Sequence, residues 1–239
     1  MINLSRHAIA ASDAHLSAVL YQPDKPRRKG CVLLTHGLTA SRAGMDVLAA
    51  YVAGKGLACV THDIRGHILG ASTGRLESVQ DAVDDLLALC HWRRREMGDV
   101  PLALVGHSLG GLLSIAAAAR CSSVCAVACL ASSACPDRSF QGPAGEALLR
   151  QRGGYLDGAP AFDLLGQAAG LARHADELGA LPALFVAGKT DILVPPERVR
   201  ELALRVGPHA EYAEVPASHQ HLPDHARGLV GGWLLNRVG

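Results

Sequence analysis

The sequence predicts an α/β protein with a mostly parallel sheet and helices on both of its faces. Two observations support this prediction: short apolar runs alternate with amphipathic stretches of helix length, and no internal repeat or low-complexity tract interrupts them. A length of 239 residues favours a single domain over 1–239. Hydrophobic residues make up 49% of the chain and charged residues 19%, so the chain can bury a sizeable core, which excludes intrinsic disorder.

Seven apolar runs predict the strands. The first, 16–21, is expected to be antiparallel and to pair with the segment before the turn at Ser12 and Asp13. The next four are expected to be buried strands, which helices cover on both faces, and two further strands complete the set. In chain order they are 30–35, 57–63, 102–106, 124–131, 183–188 and 210–215.

The helices are predicted from periodicity and from their ends. Ser78 and Asp81 resemble a capping box, and apolar residues then recur on one face until the arginines at 93–95, which are expected at a solvated helix end. Small residues predict a closely packed helix over 109–119. Pro195 and Pro196 precede a helix over 197–206, and a last helix is predicted over 223–236.

The stretch 136–181 breaks the alternation and is too long for a simple crossover connection. We expect it to form a lid or cap insertion within the domain, since long insertions in α/β folds are usually functional. Phe140, Tyr155 and Phe162 are its candidate substrate-binding residues. The alternative is that these side chains belong to a packed core.

Net charge and cysteine content indicate which partners and which cellular compartment to expect. Lys and Arg number 23 against 22 Asp and Glu, and a net charge of +1 favours neither nucleic acid nor an anionic membrane. Seven cysteines without a Cys-x-x-Cys pair predict free thiols in a reducing compartment. No apolar run is long enough to span a membrane, and no secretion signal is legible. We expect a cytoplasmic protein with a small-molecule partner, no metal and an undetermined oligomeric state.

The strongest motif is Gly106-His107-Ser108-Leu109-Gly110, which lies directly between a predicted strand and a predicted helix. A serine at such a strained turn projects its hydroxyl above the sheet, and the glycines are needed because side chains there would strike neighbouring elements. This context makes Ser108 the candidate nucleophile.

On these residues the chain resembles the α/β-hydrolase family. Gly188-Lys-Thr-Asp191 resembles the turn that carries the family's acid, and His219, after the last predicted strand, stands where the family's base does. The resemblance implies a triad of Ser108, Asp191 and His219, with Asp137 as the rival acid. His221 and His225 lie in the same stretch, but Pro223 favours a helix start that would turn them away from the nucleophile.

Two further segments carry the resemblance. The segment His36-Gly37-Leu38-Thr39 is similar to the family's oxyanion loop, which implies that the backbone N–H groups of Leu38 and Leu109 bind the oxyanion. The segment 63–67 resembles the start of an Asp-x-Arg-Gly-His-Gly-x-Ser pattern, from which Ile68 and Leu69 depart. Among subgroups the chain is most similar to small feruloyl or cinnamoyl esterases and to monoacylglycerol-lipase-like hydrolases of the serine aminopeptidase type.

The implied function is that of a cofactor-free serine hydrolase, which cleaves a carboxylic ester or thioester through an acyl-enzyme. One alternative is a thioesterase or acyl-transferring cyclase of a biosynthetic pathway, since the same residues serve a carrier-bound acyl group. Another is a non-catalytic binding protein of this fold. The acyl group and the leaving group are left open by the sequence.

Overall fold

A computed structural model describes residues 1–25 and 29–238; positions 26–28 and 239 of the predicted domain lie outside the described residues. The strands β1 to β8, in chain order, are Ile2–Ala11, Ala14–Pro23, Cys31–Thr35, Ala58–His62, Leu102–His107, Val124–Leu130, Ala183–Gly188 and Ala210–Val215. They form one sheet in the order β1-β2-β4-β3-β5-β6-β7-β8. Strands β1 and β2 form an antiparallel hairpin, β2 is antiparallel to β4, and the remaining pairs are parallel. The α/β prediction is confirmed.

Helices cover both faces of the sheet. Strands β3, β4, β5 and β7 are buried along their whole length, whereas the edge strand β8 is mostly half-buried. The α-helices α1 to α8 are Ala43–Gly54, Val79–Met97, Leu109–Arg120, Pro143–Gly153, Ala161–Leu171, Pro196–Val206, Leu222–His225 and Arg227–Leu235. Two 3₁₀ helices, Pro136–Phe140 and Ala172–Glu177, flank α4 and α5. None of the helices within the described residues has the length and apolarity needed to cross a membrane.

The strand register brings the carboxyl ends of the central strands into one row. Thr35 at the end of β3 is opposite Gly106 in β5, and Gly106 is opposite Cys129 in β6. Gly188, which ends β7, is opposite Val215, which ends β8. The loops that follow these strands therefore meet at one edge of the sheet, where ligands bind in open α/β folds.

Helix α2 begins with the predicted capping box, in which Ser78 and Asp81 exchange side-chain and backbone hydrogen bonds. The prediction of a fully solvated end is wrong for Arg93, which is completely buried. Its guanidinium donates to the carbonyl oxygens of Gly98 and Val100, because Arg93 falls on the apolar face of the helix rather than on its outer face. The last predicted helix is also divided, into α7 and α8.

The insertion between β6 and β7 contains two unlike helices. Helix α5 buries five residues, among them Leu164, whereas Leu149 is the only fully buried side chain among those described on α4. The chain between the two helices is held by backbone hydrogen bonds: Asp157 donates to Gly66 and accepts from Leu76, and Ala159 donates to Leu76. The middle of the insertion is thus joined to the loop that follows β4.

Candidate active site

Ser108 lies at a sharp turn between β5 and α3 with φ 54° and ψ −118°, in the left-handed region that non-glycine residues rarely adopt. The turn is fixed by its surroundings. The Ser108 N–H donates to the carbonyl of Leu130 at 2.8 Å. A Cβ on Gly106 would overlap the backbone of Gly110, and a Cβ on Gly110 would overlap the carbonyl oxygen of Thr35. Glycine is therefore required at both positions for the serine to occupy this turn.

His219 and Asp191 form a hydrogen-bonded pair beside this turn. The Nδ1 atom of His219 lies 2.8 Å from Oδ2 of Asp191, a buried carboxylate. Its other oxygen, Oδ1, accepts from the N–H groups of Leu193 at 2.9 Å and Val194 at 2.8 Å. An imidazole that donates from Nδ1 keeps Nε2 as its proton acceptor. The rival acid, Asp137, lies in the 3₁₀ helix at the start of the insertion and makes no hydrogen bond to His219 in the described structure.

Ser108 and His219 line one cavity of about 230 Å³ between the strand ends and the insertion. The side chains of the two residues are not hydrogen-bonded in the described structure, a looseness that is common in ligand-free sites. The backbone N–H groups of Leu38 and Leu109 make no hydrogen bond to any described residue. The amide of Leu109 belongs to the first turn of α3, where N–H groups lack a partner within the helix. Both amides therefore retain their donor capacity.

Two buried histidines hold the loops around this cavity. The Nε2 of His36 accepts from the N–H of Ile64 at 3.0 Å, and its Nδ1–H donates to the carbonyl of Gly37 at 2.8 Å. The Nε2–H of His107 donates to the carbonyl of His219 at 2.9 Å. Burial disfavours the imidazolium form, so it lowers the pKa of His36 well below its usual value and that of His107 to about 3. Both rings are neutral, hydrogen-bonded supports for the loops that carry Leu38 and His219.

The loop that begins at Asp63 departs from the family pattern at Ile68 and Leu69, but Asp63 itself is held by hydrogen bonds. The buried carboxylate of Asp63 accepts from the N–H of Arg42 at 2.8 Å and from that of Ala71 at 3.0 Å. Ile68 and Leu69, the departing residues, are 60% and 57% exposed. The departure is thus accommodated on the surface.

The three aromatic candidates of the insertion do not all lie at the cavity. Phe140 lines the cavity, but Tyr155 and Phe162 do not, and these two side chains are 40% and 48% exposed. The expectation that they bind substrate is corrected accordingly. Phe162 lies on the outer face of α5, because that helix turns its other face, with Leu164, into the core.

Four other residues of the insertion line the cavity with Phe140: Leu148, Leu149 and Arg152 from α4, and Leu165 from α5. The three residues of α4 were not singled out from the sequence. Leu148 and Arg152 are four residues apart, which puts them on one face of a helix. That spacing was legible in the sequence, but it does not say which face of the helix meets the cavity.

The described part of the chain places no group of three or more His, Cys, Asp or Glu side chains where they could jointly hold a metal ion. A mostly parallel sheet, a strained serine after its central strand and a carboxylate-bound histidine after the last strand together define the α/β-hydrolase class. The resemblance to that class is confirmed by the comparisons that follow.

The family described as "Serine aminopeptidase, S33" (Hydrolase_4) matches residues 26–156, more than half of the sequence, and the chain belongs to this family. Monoglyceride lipase from Mus musculus is 31% identical over 117 residues, which are 48% of this chain and 38% of the lipase. The match thus spans well under half of that relative's length. The family is one of serine hydrolases of the esterase and lipase type.

Solved structures share the fold. An esterase from Pyrococcus furiosus superposes with a TM-score of 0.79 at 19% identity, covering 100% of this chain and 92% of that one. An esterase from Butyrivibrio proteoclasticus, solved with ferulic acid bound, gives a TM-score of 0.77 at 19% identity and covers 97% and 98% of the two chains. A thioesterase domain from the curacin biosynthetic pathway gives 0.69 at 16% identity, with 98% and 99% covered.

Proposed function

We propose that this protein hydrolyses a carboxylic ester or thioester of a small acyl group through a covalent acyl-enzyme, without a cofactor. One observation carries the proposal: Ser108, on its strained turn, opens into the same cavity as His219, whose Nδ1 is 2.8 Å from the buried carboxylate of Asp191. A nucleophile, a base and a group that orients the base are the parts that acyl transfer requires.

In this mechanism Nε2 of His219 takes the proton of the Ser108 hydroxyl as its oxygen attacks the acyl carbon. The N–H groups of Leu38 and Leu109 stabilise the tetrahedral oxyanion, each by about 3 to 4 kcal/mol. His219 then gives the proton to the departing alcohol or thiol, which leaves the acyl group on Ser108. A water molecule, deprotonated by His219, releases the acid and restores Ser108. Asp191 keeps His219 in the tautomer that these steps need.

The size of the cavity favours a small acyl group over a long acyl chain. Its volume of about 230 Å³ is below the range of typical pockets for drug-sized ligands, and leucines from both the strand ends and the insertion form much of its wall. The partner proposed for the protein is accordingly a small-molecule ester or thioester.

The first experiment labels the protein with a fluorophosphonate and locates the adduct by peptide mass spectrometry. We expect the adduct on Ser108. Ser108→Ala should abolish labelling and lower kcat on a chromogenic short-chain ester at least about 10⁴-fold. The exposed Ser122 offers a matched control, and Ser122→Ala should retain labelling and rate. A folded protein that is labelled elsewhere, or not at all, would contradict the mechanism.

A second experiment separates the alternatives that the sequence leaves open. The kcat/KM values of a short acyl ester and of the thioester with the same acyl group are compared on the wild-type protein. A strong preference for the thioester would favour a thioesterase or an acyl-transferring enzyme. Folded protein that binds such compounds and turns over neither would indicate a non-catalytic binding protein.

A further inference from the structure

One permanently charged side chain, Arg152, lines the cavity that contains Ser108 and His219. No Asp or Glu is among the described residues that line it. The ring of His36 is neutral because its Nε2 accepts from the N–H of Ile64, and burial lowers the pKa of His107 to about 3. Arg152 is therefore the permanent charge among the described lining residues, most of which are apolar.

The guanidinium of Arg152 makes no hydrogen bond or ion pair with any described residue, although it is half-buried. Arg150, two residues earlier on α4, pairs with Glu146 at 4.0 Å on the outer side of the helix. Arg198, on the surface helix α6, likewise pairs with Glu201 at 3.1 Å. A cation with five N–H donors next to an apolar wall has unused capacity that a bound anion can fill.

Position reinforces this inference. Arg152 and Leu148 are one helical turn apart on α4, so the charge lies at the end of an apolar strip that also includes Leu149. Ser108 lines the same cavity from the strand ends rather than from the insertion. A ligand whose ester reaches Ser108 and whose apolar part lies along the leucines presents its far end to Arg152.

We propose that the substrate carries an anionic group, a carboxylate or a phosphate, remote from the scissile ester, and that Arg152 binds this group. The inference rests on the proposed hydrolase function and specifies its substrate class. The anion belongs either to the acyl part, as in a half-ester of a dicarboxylic acid, or to the alcohol part. A guanidinium recognises both through the same paired N–H donors.

The acyl part is tested with two esters of equal chain length, 4-nitrophenyl hexanoate and 4-nitrophenyl hydrogen adipate, which differ by a terminal carboxylate. The readout is the ratio of kcat/KM for the anionic ester to that for the neutral ester. Arg152→Met, which keeps length and removes charge, should lower this ratio roughly 10- to 100-fold. Arg150→Met is the matched control and should leave the ratio within about twofold, because Arg150 does not line the cavity.

The alcohol part is tested in the same way with the hexanoyl esters of 3-hydroxybenzoate and of 3-hydroxybenzamide. A ratio that falls in the first pair alone assigns the anion to the acyl part, and one that falls in the second pair alone assigns it to the alcohol part. A ratio that Arg152→Met leaves unchanged in both pairs would overturn the proposal. Arg152 would then be a solvated cation at the cavity mouth.

A binding measurement distinguishes failure of this inference from failure of the proposed hydrolysis. In the Ser108→Ala protein, titration calorimetry with phenyl hydrogen adipate and phenyl hexanoate should show tighter binding of the anionic ester. Addition of Arg152→Met should remove that preference. If the preference is present but wild-type protein hydrolyses neither ester, the anion site stands and the hydrolase proposal falls. Equal binding of the two esters, with hydrolysis intact, would reject the anion site alone.

Discussion

The cavity has two walls that are built in different ways. The strand-end wall, formed by 36–40, 107–108 and 219–220, is tied to the sheet by the hydrogen bond from the N–H of Ser108 to Leu130 and by the buried rings of His36 and His107. The lid wall is formed chiefly by α4, a helix with one buried side chain among those described. The first wall carries the groups whose positions the proposed chemistry requires to within fractions of an ångström, and the second carries those that contact the rest of the substrate. The groups that need precise positions thus lie on the wall that is better anchored to the sheet.

The largest effect should come from the strand-end wall. His219→Ala should lower kcat on a short acyl ester at least about 10⁴-fold with little change in folding, because it removes the proposed base. His221→Ala should cost at most about tenfold, since His221 is exposed and its ring faces His225, with 6.3 Å between centroids. Steady-state kinetics and circular dichroism check both variants. If His221→Ala were the inactive one, the assignment of the base would be wrong.

Two glycines next to the two walls, Gly110 in α3 and Gly153 in α4, should respond oppositely to an added methyl group. Gly110→Ala should reduce the free energy of unfolding by about 4 kcal/mol or more, because the new Cβ would overlap the backbone carbonyls of Thr35 and His36. Gly153→Ala on α4 has no atom within 4 Å of the added Cβ and should change stability by less than about 1 kcal/mol, in the stabilising direction. Urea unfolding measures both. Equal losses would show that the lid wall is as tightly packed as the strand ends.

Leucines distinguish the two helices of the insertion. Leu164→Ala on α5 removes a completely buried side chain and should cost about 3 kcal/mol of unfolding free energy. Leu148→Ala on α4 removes a half-buried one and should cost about 1 kcal/mol or less while shifting the preference among acyl chains. Thermal unfolding and an ester panel check the pair. A large stability loss with an unchanged acyl profile for Leu148→Ala would place α4 in the core.

The last prediction concerns the pH dependence of stability. Burial lowers the pKa of His62 to about 4 and that of His107 to about 3, against an unfolded value of about 6.5. Below pH 6.5 the unfolded chain therefore binds protons that the folded chain excludes, so stability is full above this pH and falls as the pH decreases toward 4. The slope should approach about 1.4 kcal/mol per pH unit for each histidine.

Urea titrations between pH 7 and pH 4.5 measure this slope. His62→Gln should reduce it by the contribution of one histidine, whereas His209→Gln should leave it unchanged, because His209 is exposed. An unfolding free energy that stays constant across this range would contradict the neutral, buried state of these rings.

The strand-end wall was largely predictable from the sequence, because its signals are local. An apolar strand, Gly106 and Gly110 around Ser108, and a small-residue helix occupy consecutive positions, and each restricts the backbone of the next. The order of Asp191 and His219 after later strands then follows from the family resemblance. The proposal that Asp191 is the acid and His219 the base depends on the hydrogen bond between them. This contact joins segments that are far apart in sequence, so no local pattern contains it.

The lid wall was not predictable to the same degree. The aromatic side chains of Tyr155 and Phe162 stood out in the sequence, yet whether a helix turns a given face to solvent, core or cavity depends on what packs against it. The same limit explains Arg93. Its charge predicts a position on the surface, but it lies on the buried face of α2. Arg152, inconspicuous among three arginines at 138–152, gained significance only because it lines the cavity that contains Ser108.

The way the insertion is joined to the body also bears on how such a protein diversifies. Helix α4 is eleven residues long, supplies three cavity-lining side chains and buries little, while the bonds of Asp157 and Ala159 to Gly66 and Leu76 fix the chain just beyond it. Mutations in α4 should therefore change the substrate preference at little cost in unfolding free energy, and without moving Ser108 or His219. In laboratory evolution, libraries that vary only residues 143–153 should therefore yield folded variants with changed substrate selectivity.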